Sequence, residues 1–350
     1  MRNLKLAVLL ACRTLGVFRM ARRLTRGRLR ILCYHGFAIG DQAVFRPKMF
    51  MSSTKFEERL RVLRRHGMAV LPLEEAIEKL YAGSLPDLAV VITVDDGFHS
   101  FHRLALPCLR RHAFPATVYV TTYYVEKGGP VFRLAVQYLF WKTRKGSLVL
   151  NGVPWTQRQS VDLTDAVESQ RVMWECIDFG EARCTEDQRR QLCEELGRLL
   201  GVPYDEIVRS RSFHLMTPDE LRSLAASGIS VGLHTHRHRF PADDREQARR
   251  EVLENREALG RWIGDVSAHF CYPSGVWQEH EWAWLDELRI RASTTCAAGL
   301  NRASTPRHAL RRFIDGDDVD QLEFEASLSG FSDLAQTARS LIRRSRRESG

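Results

Sequence analysis

Several things are scarce in this chain of 350 residues, and each scarcity closes off a class of protein. The eight cysteines (Cys12, Cys33, Cys108, Cys176, Cys184, Cys193, Cys271 and Cys296) contain no CxxC pair. Zinc-finger spacing is therefore absent, and a disulfide scaffold does not suit a chain this long. Free thiols in a reducing compartment fit better. Long apolar runs are missing as well. Leu6–Cys12 is only seven residues long and Arg13 follows at once, so it is short for a secretory core and far too short to span a bilayer. Nor does a recognition-helix pattern accompany the positive charge, and no nucleic-acid partner is expected.

What is present begins with uneven charge. The net charge is +9, with Arg2, Lys5, Arg13, Arg19, Arg22, Arg23, Arg26, Arg28 and Arg30 at one end and Arg339, Arg343, Arg344, Arg346 and Arg347 at the other. Such ends suit an anionic membrane surface or are simply solvated. Leu4, Ala7, Val8, Ala11, Leu15 and Phe18 recur at helical spacing, which predicts a basic amphipathic arm over residues 1–28, lying on a membrane or on its own protein. The expected location is cytoplasmic, peripheral on the inner face of the membrane, in preference to secretion. Residues 331–350 are read as a basic C-terminal helix and tail.

Between the ends, strands and helices alternate. Leu29–Tyr34, Leu88–Val94, Ala116–Thr121, Ile229–His234 and Ala268–Tyr272 read as strands. Residues 53–65, 73–81, 104–112, 243–263 and 278–289 read as helices, with short strands at 70–71, 292–295 and 310–314. Leu88–Val94 is apolar almost throughout, which suits a strand covered on both faces. Thr217-Pro-Asp-Glu220 is a capping box with proline at the first helical position. Residues 124–215 break the rhythm, with a hydrophobic patch at 131–141, a hairpin signal at Asn151-Gly152 and a charged helix at 186–200, and are read as an insertion. The fold class is therefore α/β, a parallel sheet or barrel whose active residues sit at C-terminal strand ends.

Asp95 and Asp96 stand at such an end. Two adjacent carboxylates there are costly to desolvate unless something positive lies beside them. A helix N-cap with a spare acid is the competing explanation. His234-Thr-His-Arg-His238 follows a second strand, and imidazoles four residues apart can converge on one ion while leaving a position for water. The outer two histidines are the expected ligands. For His236 two readings stay open, outward-facing or in contact with the ligands or substrate.

With these residues in view, the sequence resembles the polysaccharide deacetylases of the NodB-homology type over about residues 29–330. Val91–Gly97 resembles their T-F-D-D-G motif with Val94 for Phe, Val231–His238 their G-x-H-[ST]-x-x-H motif, and Phe270–Gly275 the F-x-Y-P-x-G form of the third. Ile31–Gly36 is similar to their opening Y-H segment. The resemblance implies a distorted (β/α) barrel with the insertion between the first and second metal motifs. It implies a divalent metal, zinc by preference, on Asp96, His234 and His238, with Asp95 as the base that deprotonates the attacking water. It further implies oxyanion or substrate contacts near Tyr272 and Ser274, and an arginine, Arg312 or the neighbouring Arg311, that orients the base.

Two departures stand out. Cys271 occupies the place of the third motif's usual arginine, and the segment 324–329 contains no histidine to act as general acid. His35 is the replacement candidate, because the first strand should end at the same rim. Trp277, Trp282 and Trp284 are expected to pack in the core rather than stack on sugar. The function implied is removal of an N-acetyl group from an N-acetylhexosamine of a polysaccharide or lipid-linked glycan. A sugar-lipid deformylase of the same fold and a catalytically idle glycan- or membrane-binding module are the alternatives.

Overall fold

The computed structural model describes residues 2–338. Its centre is a sheet of eight strands: β1 (Arg30–Tyr34), β2 (Ala69–Val70), β3 (Ala89–Val94), β4 (Thr117–Val120), β5 (Ser230–Leu233), β6 (His269–Cys271), β7 (Ala292–Thr294) and β8 (Phe313–Ile314). The spatial order is β7-β6-β5-β4-β3-β1-β8, with β2 beside the start of β3, and every pairing in it is parallel. Just before β8, Leu310 bridges Thr294 of β7. The two sheet edges therefore meet, and the sheet curls into the distorted barrel of the NodB type.

Pleating explains what fills it. Alternate residues of each strand share a face. Leu29, Ile31, Ala89, Val91, Tyr119 and Cys271 form the inner cluster, plugged by Leu73, Ala76, Ile77 and Leu80 of the helix Leu73–Tyr81. Leu32, Tyr34, Val90, Ile92, Val94, Val118, Leu233 and Phe270 face outward into a larger core beneath the surrounding helices. All six residues of β3 are buried, as its continuous apolar run predicts. The same alternation carries Cys33, Thr93 and Asp95 inward.

Where expected and observed elements differ, a local cause is visible. The N-terminal arm is two helices, Arg2–Thr14 and Val17–Leu24, broken at Gly16, whose φ of 78° is a left-handed conformation. Leu9, Phe18 and Ala326 pack together, so the arm lies on its own protein against the helix Gln321–Ser329. The expected strand 310–314 shrinks to Phe313–Ile314 plus the Leu310 bridge, because the backbone of Leu310 and Arg312 bonds to Ser293, Thr295 and Ala297 and only Phe313 and Ile314 pair with β1. The hairpin signal at Asn151-Gly152 opens a longer connection between Ser147–Val149 and Ser160–Asp162, held down by buried Val153 and Trp155. The basic helix and tail expected at 331–350 lie outside the described residues from 339 onward.

Between β4 and β5 the chain leaves the sheet. It passes through the helices Phe132–Lys142, Ala166–Arg183, Glu186–Leu200 and Tyr204–Ser210 before the Thr217 capping box returns it to the βα rhythm. These helices bury their own apolar faces together: Phe132, Leu139, Cys176, Ile177, Cys193 and Leu196 are all covered.

Candidate active site

The carboxyl ends of β1, β3, β5 and β6 meet at one rim. Asp95 continues the inward parity of β3 and is 2% exposed. Arg312, fully buried inside the barrel, donates from Nη1 to Asp95 Oδ1 and from Nη2 to Oδ2, both at 2.7 Å. Its remaining donors reach the Thr295 carbonyl, Thr93 Oγ1 and Cys271 Sγ. A buried guanidinium with its donors engaged and a bidentate partner is the arrangement in which an interior ion pair holds. Burial alone pushes the Asp95 carboxyl up. The charge and hydrogen bonds of Arg312, helped by His35 and His234, outweigh burial and hold it well below the usual carboxylate range.

Asp96 must leave the strand to share this rim. It does so in a left-handed conformation, φ 69°, followed by Gly97 at φ 84°. A side chain at Gly97 would be strained and would crowd Val120 at 3.1 Å, so glycine is required there. Asp96 Oδ1 then lies 3.4 Å from both His234 Nε2 and His238 Nε2. Ligand atoms about 2 Å from a tetrahedral ion lie a little over 3 Å apart, so the three fit one divalent cation. His234 supports this independently, because its Nδ1 donates to the Cys271 carbonyl at 2.8 Å. That bond fixes the tautomer with a free lone pair on Nε2, the usual arrangement of a metal-binding histidine.

Among the described residues two further clusters hold ligand-type atoms close together, Cys33–His35–Asp95 and Asp95–His234–Cys271. Both draw on Asp95, whose two oxygens Arg312 already engages, and burial pushes the Cys33 thiol well up. The Asp96–His234–His238 set is the better cradle.

Strain concentrates here. Among the described residues eight non-glycine positions have positive φ, and four of them are Asp96, Thr235, His238 and Ser274. Such conformations cost about 1–3 kcal/mol each and persist where the surroundings over-determine them. Asn255 shows how. From the helix Arg245–Ile263 it accepts from the His234 N–H and donates to the Val120 carbonyl and Thr122 Oγ1. One buried side chain thereby ties the ends of β4 and β5 together.

The other expected site residues divide. His35 does reach the rim, with Nε2 3.9 Å from Asp95 Oδ2 and a side chain 21% exposed. Ser274 lines the same groove as Asp96 and His238. Arg311 lies away from Asp95, its backbone held by Asn301. His236 turns from the cluster, with Nδ1 on Thr122 Oγ1 and its ring edge-on to Tyr123. Tyr272 corrects an expectation. Its parity is opposite to that of Cys271, so its ring packs outward on Phe240, Phe270 and Trp277, with the hydroxyl donated to the His308 carbonyl. It offers the groove no side chain. Trp277 and Trp282 stack on each other against that layer, as packing residues do.

Residues beyond the motifs complete the groove. Arg46, Tyr124, Arg133, Gln137, Trp174 and Arg239 line it together with Asp96 and His238. Most come from the segment between β4 and β5 or from loops, and no spacing in the sequence singles them out.

A curled parallel sheet with an Asp–His–His cluster at its C-terminal rim defines a NodB-type barrel. Within that class, the family whose model the chain matches is that of the polysaccharide deacetylases. The family's model matches residues 187–293, which include His234 and His238 but not Asp95 or Asp96. Among solved structures, the fold is similar to the Streptococcus pyogenes deacetylase PplD in complex with acetate. That match has 15% identity and a TM-score of 0.58, covering 87% of this chain and 99% of that one. A de-N-acetylase from Aggregatibacter actinomycetemcomitans aligns at 13% identity and TM-score 0.54, covering 86% and 99%. IcaB from Ammonifex degensii aligns at 18% and 0.53, covering 86% and 97%. No curated protein matches the chain by sequence.

Proposed function

We propose that the protein is a metal-dependent hydrolase that removes the N-acetyl group from an N-acetylhexosamine unit of a glycan, in the Y-P-x-G subgroup of its family. The observation that carries this reading is Asp96 Oδ1 at 3.4 Å from two imidazole nitrogens, one of them with its tautomer fixed. A divalent ion on these residues, zinc by preference, would polarise the acetyl carbonyl and lower the pKa of the attacking water, which a weakly basic, arginine-paired carboxylate requires. Asp95, kept ionised by Arg312, takes the proton from that water. His35, at the same rim, delivers a proton to the departing amine, so acetate and a free amino sugar result. Backbone around Ser274 faces the developing oxyanion. Metal content and acetate release from N-acetylglucosamine oligomers test this together. Formate release from an N-formyl sugar in place of acetate would favour the deformylase alternative. Full metal content with neither product would favour the idle binding module.

The arm supports a finer reading, a lipid-linked glycan met at an anionic membrane surface on the cytoplasmic side. The helices that bury Leu9 and Phe18 leave Leu4, Val8, Leu15, Met20 and Leu24 between 52% and 80% exposed on their other side. Arg19, Arg23 and Arg26 stand exposed among them, and the chain has no acidic residue before Asp41. An apolar face with cations beside it complements an anionic bilayer. Among the described residues no helix is long and apolar enough to cross a membrane. Co-sedimentation with phosphatidylglycerol vesicles but not phosphatidylcholine vesicles is expected, and a Leu4→Ser/Leu15→Ser variant should lose it. Equal binding to both lipids would remove this reading.

A further inference from the structure

The groove that opens from Asp96 and His238 encloses about 760 Å³. Its far wall comes from the helices between β4 and β5, through Leu134 and Gln137, Trp174 and Arg189. Its charge is lopsided, with five arginines on the lining against Asp96 and Glu181. Three arginines are neutralised in place. Arg133 is paired with Glu181, Arg189 with Glu186, and Arg237 with Glu251 and Glu254. Arg46 and Arg239 have no carboxylate partner among the described residues.

Arg46 is the more telling of the two. It is half-buried, and its Nη2 donates to Oε1 of buried Gln137 at 2.7 Å, while its guanidinium lies 5.5 Å from the Phe45 ring. It is therefore held in one place by a neutral partner, with further N–H donors uncommitted. Burial and the nearby Arg133 both weaken its hold on its proton. A fixed, half-desolvated cation without a counter-charge is unfavourable in the free protein, and a bound anion relieves that cost through charge-assisted, bidentate hydrogen bonds.

We propose that Arg46, with Arg239 from the His238 side of the groove, forms a subsite for a phosphate or carboxylate carried by the acetamido-glycan substrate. The inserted helices are then the specificity wall of the active site. The proposal rests on the deacetylase reading for what happens at the acetamido group, but the anion site itself is a matter of binding.

The test uses the full, metal-loaded chain and three otherwise matched N-acetylglucosamine oligomers: neutral, bearing a phosphomonoester, and bearing a uronate. Binding is measured by calorimetry, and kcat and KM by amine release. Wild type should prefer an anionic oligomer, and Arg46→Gln should collapse the anionic-over-neutral ratio in Kd and KM by about ten- to a hundredfold. Arg46→Lys should restore part of it. Whether the phosphate or the uronate shows the larger collapse identifies the anion. An unchanged ratio in Arg46→Gln, or an equal loss on neutral and anionic oligomers, overturns the proposal. If no oligomer is deacetylated yet the anionic one still binds more tightly through Arg46, the subsite stands and the deacetylase reading fails.

Discussion

The barrel rim and the wall opposite it are built on different terms. At the rim, Asp95, His234 and Arg312 are nearly or fully buried, and each is fixed by fully or nearly buried groups: an ion pair, a backbone carbonyl, the amide of Asn255. On the wall, Arg46, Arg133, Arg189 and Trp174 are half-buried or exposed, and each keeps part of its surface turned to the groove. The contrast teaches that reaction geometry is secured by desolvated networks, which tolerate no loosening. Substrate choice is left to side chains with spare capacity. Changes at the rim should therefore act on rate and stability, and changes on the wall on binding.

The largest effect expected is at the metal cradle. Asp96→Asn should lower metal content and activity by more than about 100-fold, since loss of merely a supporting contact to a ligand costs about 10–100-fold. Retention of full metal and activity in that variant would break the comparison at its strongest point. Arg312→Met should destabilise the fold by about 3–5 kcal/mol in urea titrations, because it leaves Asp95 charged and unpaired. The double change Arg312→Met/Asp95→Asn should recover much of that stability while staying inactive.

Next comes the seam between the two regions. His214 bridges Pro130 and its carbonyl accepts from the His99 N–H. Burial first, then Arg211 and His99, holds its imidazole down at about 4. The folded state binds this proton more weakly than the unfolded chain. Its contribution is fully present above about pH 6.5 and fades as pH falls toward 4, by up to about 3 kcal/mol. His214→Asn should flatten that part of the stability–pH curve. His35→Ala should slow turnover by about a hundredfold with little change in KM, as expected for loss of a general acid. An unchanged rate would send the search for the acid elsewhere. Smallest is Trp174→Ala, whose loss of an aromatic contact should raise glycan KM by about five- to tenfold without touching kcat. A kcat effect there would blur the distinction between rim and wall.

How much of this was legible in the sequence follows from the same contrast. Asp95 and His234 could be read because they directly follow strands, which are local features whose pleat sets direction, and Asp96 and His238 because they stand in the turns just beyond those strand ends. Arg312 could be placed only through the resemblance, since nothing local says that its side chain enters the barrel. Tyr272 misled for want of parity. Counted outward from Cys271, its ring belongs to the outer core. Arg46, Gln137 and Trp174 were not legible at all. They meet only after distant helices pack, and no periodicity records where a tertiary wall will stand. The N-terminal pattern was legible in kind, but Gly16 split one helix into two.

One consequence of the Asp95–Arg312 pair concerns time. The partners are separated by 217 residues. At about 5–20 residues per second, a ribosome needs on the order of 10–40 s to make the second after the first. Throughout that interval Asp95 lacks its bidentate guanidinium partner, and burying its charge is unfavourable. Closure of the barrel interior around Asp95 is therefore expected only after Arg312 has emerged, which would make the active site one of the last parts of the molecule to be completed.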